Sequence, residues 1–90
     1  MKIVYDKNFA ATFKIILNYI AQDSQNSANR FKQELKLEIE NIPNFPYKCR
    51  KSIWFNSENN RDLIFKGYTI PYLIQEETII ILDIFKWNKS

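Results

Sequence analysis

The sequence predicts an α+β fold: an N-terminal strand, then an antiparallel helical hairpin packed on a mostly antiparallel sheet of three to four strands. Three observations carry this. Apolar residues recur at helical spacing twice between residues 9 and 42. From residue 61 onward the pattern changes to strand-like alternation and β-branched runs. Gly67, the single glycine of the chain, falls between two of those strands.

Each element has its own signal. Lys2 to Tyr5 reads as a short strand, and Asp6 is a good helix N-cap. Phe9, Phe13, Ile16, Leu17 and Ile20 then line one helical face, predicting a helix from Lys7 to Gln22. The polar cluster Asp23 to Ser27 predicts a short turn. Ala28, Phe31, Leu35, Ile39 and Ile42 give the face of a second helix, stopped by Pro43 and Pro46. So short a connection makes the two helices antiparallel neighbours.

Residues 43–60 are the least regular. Within them, Ser52 to Phe55 reads as a short strand and Ser57 to Asn60 as a turn. Arg61 to Lys66 is a strand, and Gly67 lets the chain bend or bulge between it and the next. Tyr68, Ile70, Tyr72 and Ile74 share one face of that next strand. Pro71 is tolerated there only where its missing amide is not needed. Gln75 to Thr78 is a turn, and Ile79 to Phe85 a third run. Its stretch Ile79 to Leu82 is apolar on both faces, which suits a central strand.

Composition bounds the function. Ninety residues predict one domain, residues 1–90, with a modest two-layer core. A single cysteine, Cys49, allows no internal disulfide, and no apolar run approaches a membrane span of roughly 20 residues, so a cytoplasmic protein without membrane contact is expected. The chain has no histidine, which removes the commonest neutral-pH acid–base group and metal ligand. No metal and no other cofactor is expected, since one glycine also excludes glycine-rich phosphate loops. A net charge of +3 permits nucleic acid or an acidic partner and requires neither.

Three blocks of the chain now carry a resemblance. The first is Ile20-Ala21, Ser24, Ala28, Phe31 and Leu35, running on to Ile39, Ile42 and Pro46. The second is Arg61-x-Leu63 with Gly67-Tyr68-Thr69-Ile70-x-Tyr72. The third is Ile79-Ile80-Ile81-Leu82-x-Ile84-Phe85. In this order and spacing the sequence resembles the RelE/ParE superfamily of bacterial toxins, from type II toxin–antitoxin pairs. The resemblance implies a RelE/ParE-like fold and a growth inhibitor silenced by a cognate antitoxin. It also implies contact with operator DNA only through that antitoxin. Where the family often has arginine after Gly-Tyr, this chain has Thr69; in RelE-type members that arginine belongs to an RNA-cleaving site. The tail from Lys86 has neither histidine nor tyrosine. These departures, with the long regular hairpin, lean towards the ParE type, which is implied to poison DNA gyrase by binding. The alternative is a ribosome-dependent mRNA endonuclease of the RelE type, with the translating ribosome and mRNA as partners. A third reading is a degenerate, non-toxic member that still binds its antitoxin.

Cleaving RNA through its own 2′-hydroxyl needs a base, an acid and cations for the phosphate. Without histidine, the candidates are Lys48, Arg50, Lys51, Arg61, Lys66 and Lys86, with Tyr47, Tyr68 and Glu58 beside them. For target binding, the expected residues are Arg50, Lys51, Arg61, Lys66, Lys86 and Trp87. The charge run at 48–51 also reads as an ordinary solvated loop, and Arg61 either as a phosphate ligand or as a partner of Asp62, Glu58 or the antitoxin. Lys66 and Lys86 are expected to form a basic patch on the concave side of the sheet. For antitoxin binding the expected residues are Tyr68, Tyr72 and Trp87, although the two tyrosines also fit a core or groove lining. Trp54 and Phe55 are candidates to pack beneath the basic loop or to meet a partner.

Overall fold

The computed structural model describes residues 1–53, 55 and 57–86. Trp54 and Trp87, both singled out above, lie outside the described residues. Strand β1 (Lys2–Tyr5) leads into helix α1 (Lys7–Asp23), and α2 (Gln25–Glu40) follows after one residue. A 3₁₀ turn (Ile42–Asn44) and an irregular stretch lead to β2 (Arg50–Lys51). Then come β3 (Asn60–Phe65), β4 (Tyr68–Gln75), β5 (Thr78–Ile81) and β6 (Phe85–Lys86).

The helix boundaries are set by capping. Asp6 accepts from the Asn8 amide at 2.8 Å and starts α1. Ser24 serves both helices. Its own amide donates to the Ile20 carbonyl, and its hydroxyl accepts from the Ser27 amide at 3.1 Å. The turn expected over residues 23–27 is therefore this one residue, and α2 starts at Gln25, ahead of the first apolar position Ala28.

The sheet is mixed, in the order β1-β5-β4-β3-β2, with β6 also paired to β4. Among the described residues it has six strands where three to four were expected. The additional ones are two-residue strands that alternation cannot reveal. β1 runs parallel to β5, Lys2 opposite Thr78 and Tyr5 opposite Ile81, and the other pairings are antiparallel. The short strand expected at Ser52 to Phe55 lies earlier, at Arg50–Lys51. β5 is central, between β1 and β4, as its apolar run implied.

Gly67 closes the two-residue turn between β3 and β4. Lys66 and Gly67 both have positive φ, 48° and 82°, as a hairpin turn matching the strand twist requires. A Cβ on Gly67 would meet nothing within 4 Å, so its backbone angle alone demands glycine.

Pro71 is explained by its neighbour. Its carbonyl accepts from the Leu82 amide at 2.9 Å, so its nitrogen faces the same side. There the expected third run is broken into β5 and β6, and Leu82 to Ile84 lies between them. The missing donor thus falls at the gap between two strands.

One face of the sheet carries Leu63, Phe65, Ile70, Tyr72, Ile74, Ile79 and Ile81, all buried in the core with Phe9, Phe31, Leu35 and Ile39 of the helices. Phe31 meets both Phe65 and Tyr68 edge-on, each at 5.4 Å between centroids, and pins α2 over the β3–β4 turn. Leu35 is fully buried, so Leu35→Ala would cost about 3 kcal/mol by the usual range for such cavities.

Candidate functional site

The basic loop before β3 is organised by one side chain. Arg61 sits at the second position of β3, opposite Lys51 in β2 and Tyr72 in β4. Its Nε donates to the Glu58 carbonyl at 3.0 Å and its Nη1 to the Cys49 carbonyl at 3.2 Å. Nη1 also reaches the Tyr47 carbonyl at 3.5 Å, and Nη2 donates to Glu58 Oε2 at 3.1 Å. The guanidinium lies 5.0 Å from the centroid of the Tyr47 ring. Tyr47 in turn donates its hydroxyl to Asn59 Oδ1. A planar fork with five donors suits this task, gathering carbonyls that a loop without regular pairing leaves unsatisfied.

Glu58 completes the arrangement. Its other carboxylate oxygen, Oε1, takes Lys51 Nζ at 2.8 Å. Hydrogen bonding and charge from Lys51, and then the charge of Arg61, hold the Glu58 carboxyl below the usual carboxylate range. Alongside, Arg50 Nη2 stands 3.4 Å from Asp62 Oδ2, and the Asp62 side chain is fully buried. A buried carboxylate needs a cation, so Arg50 ties β2 to β3.

The remaining cations lie elsewhere. Four residue steps along β3, about 13 Å of strand, lead from Arg61 to Phe65, the residue before Lys66. Lys66 Nζ pairs with Glu34 of α2 at 2.9 Å. Lys86 stands opposite Tyr68 and lines a groove with Thr12, Ile15 and Tyr19 of α1. Lys66 and Lys86 thus stand at the same end of the sheet, beside the β3–β4 turn, Lys66 held by α2 and Lys86 facing α1. The six candidate cations divide between the two ends of β3.

The two tyrosines expected to meet an antitoxin differ. Tyr72 is fully buried and donates its hydroxyl to the Pro46 carbonyl at 2.7 Å, so it tethers the loop from beneath and offers no surface. Burial pushes its phenol up from the ordinary value. Tyr68 is half-buried, packed on Phe31, and lines the same groove as Lys86. Thr69, where the resemblance implied arginine in RNA-cleaving members, is completely buried.

A second feature was not anticipated. A groove of about 520 Å³ runs along the helical hairpin, with Phe9, Phe13, Leu17, Leu35 and Ile39 in its lining. Lys14, Lys32 and Lys36 also line it, and among the described residues none of them has an acidic partner. The signal was in the sequence: each of these lysines follows directly on an apolar face position, Phe13, Phe31 or Leu35. Lysines so placed flank the stripe on the sides where the helices meet.

The ParE toxin family, toxins of the type II toxin–antitoxin system parDE, has a family model that matches residues 3–88. A solved structure, described as the chromosomal ParDE TA system from P. aeruginosa, contains a chain of similar fold. The TM-score is 0.78 at 15% identity, over 98% of this chain and 97% of that one. No curated protein matches the sequence.

Proposed function

The chain belongs to the ParE toxin family of type II toxin–antitoxin systems, and from that premise we propose that it arrests growth by binding DNA gyrase through the basic loop at residues 47–51. The observation that carries a binding rather than a cleaving role is the division of the cations. Lys48, Arg50, Lys51 and Arg61 belong to one end of β3, Lys66 and Lys86 to the other. RNA cleavage needs a base, an acid and phosphate-binding cations within hydrogen-bond reach of one phosphate. Arg61 is turned inward onto carbonyls, and only 14% of its side chain is exposed. The buried Thr69 supports the same reading.

The antitoxin's place on this reading is the helix groove. An apolar floor flanked by three lysines that have no acidic partner among the described residues fits an amphipathic helix with acidic flanks. Its apolar side covers Phe13 and Leu17, and its carboxylates meet Lys14, Lys32 and Lys36.

Plasmid supercoiling by gyrase with added toxin tests the target. The expected result is inhibition or trapped cleaved DNA, relieved by antitoxin. No effect at excess toxin, with growth arrest intact, moves the target to mRNA on the ribosome. No growth arrest, with antitoxin still bound, identifies a non-toxic member.

A further inference from the structure

We infer that Lys51 and Arg61 form a carboxylate-binding site, that Glu58 occupies it as an internal stand-in, and that an acidic side chain of the protein bound by the basic loop displaces Glu58. This rests on the loop's proposed role in target binding and names the chemistry it recognises.

The receptor is built in advance. Nε and Nη1 of Arg61 are fixed by the carbonyls of Glu58 and Cys49, and its face rests near Tyr47. That leaves the Nη2 edge aimed at a carboxylate oxygen 3.1 Å away, while Lys51 holds the other oxygen at 2.8 Å. A receptor that needs no rearrangement loses little free energy on binding. Its occupant is loosely held. The Glu58 side chain is 73% exposed on the turn before β3, and ion pairs at such exposure are weak. Exchanging one carboxylate for another keeps the same hydrogen bonds. A protein carboxylate fits better than a nucleic-acid phosphate, because the loop also exposes Phe45 and Tyr47, at 66% and 51%. A protein interface covers such apolar surface. Lys48, with no ion pair among the described residues, adds attraction for an acidic surface.

The test titrates hexaglutamate into the folded toxin and follows the Arg61 Nε–H and Lys51 amide signals by NMR. Glu58→Ala is expected to bind about fivefold more tightly than the parent, because the internal competitor no longer occupies the site. Adding Lys51→Ala to that variant is expected to abolish the gain. If Glu58→Ala melts within about 2 °C of the parent and gains nothing, the inference is overturned. It is equally overturned if a six-residue oligothymidylate gains as much as hexaglutamate, since that is a phosphate site. Should Glu58→Ala fail to fold, Glu58→Gln, which keeps the shape and drops the charge, answers the same question. No gyrase is present, so this result and the supercoiling result fail independently.

Discussion

The guanidinium of Arg61 and the ring of Tyr47 stand 5.0 Å apart, fourteen residues separated in sequence, and the same guanidinium reaches the Tyr47 carbonyl. One residue is thus gripped at its ring and its backbone. The basic loop has no strand or helix to shape it between Phe45 and Cys49, and this grip replaces one.

Arg61→Ala is expected to destabilise the fold by about 2 kcal/mol, from the lost hydrogen bonds and ring contact. Urea unfolding measures it. Arg61→Lys is expected to recover less than half, because a single ammonium cannot reach the carbonyls and Glu58 together. Full recovery with lysine would mean that charge alone matters.

Tyr72→Phe leaves the Pro46 carbonyl without its donor and is expected to cost about 1–2 kcal/mol. The pH dependence follows from the raised phenol. The folded protein holds its proton where the unfolded chain, at the ordinary value of 10.0, begins to lose it. Stability is therefore unaffected by this group below pH 10 and falls as pH rises beyond it. Urea midpoints across that range measure the fall, and Tyr72→Phe should remove this part of it.

The hairpin turn offers a matched pair of variants. Gly67→Ala is expected to destabilise by about 1 kcal/mol through its φ of 82° alone, since the added methyl meets nothing. Lys66→Asn should stabilise by about 0.5 kcal/mol, because asparagine tolerates a φ of 48° better than lysine. Part of that gain is offset by the lost Glu34 pair. A stable Gly67→Ala would show that the turn has another conformation.

Charge reversal at Lys32 and Lys36 is expected to weaken antitoxin binding at least tenfold and to flatten its salt dependence. Calorimetry at two ionic strengths reads both. Unchanged affinity would move the antitoxin to another face, such as the groove lined by Tyr68 and Lys86. With the groove covered, the complex should also stay soluble at concentrations where the isolated chain precipitates.

The layers of the fold were legible because helices and long strands repeat their pattern. Phe9 to Ile42 announces two helices, and Tyr68 to Ile74 a strand. β2 and β6 were not legible, since two residues carry no period. Nor was the junction at Ser24, because Gln25 to Ser27 are polar in a helix and in a turn alike. Alternation correctly put Tyr68 and Tyr72 on one face, but it cannot say which of them the helices cover. Arg61 reads from sequence as a phosphate ligand or as a partner of Asp62, Glu58 or the antitoxin, and the structure pairs it with Glu58. Its grip on the carbonyls of Tyr47 and Cys49 escaped, because those acceptors belong to every residue and leave no mark in the sequence.

The parallel pairing of β1 with β5 joins residues far apart along the chain. Lys2 waits for Thr78, 76 positions later, which takes roughly 4–15 s at ordinary elongation speeds. Until then the first strand has no neighbour and the sheet has no centre. A chain that stops before Thr78 lacks β5, so β1 has no strand to pair with and β4 loses a neighbour. The place between β1 and β4 is thus filled late, by the segment that pairs with both.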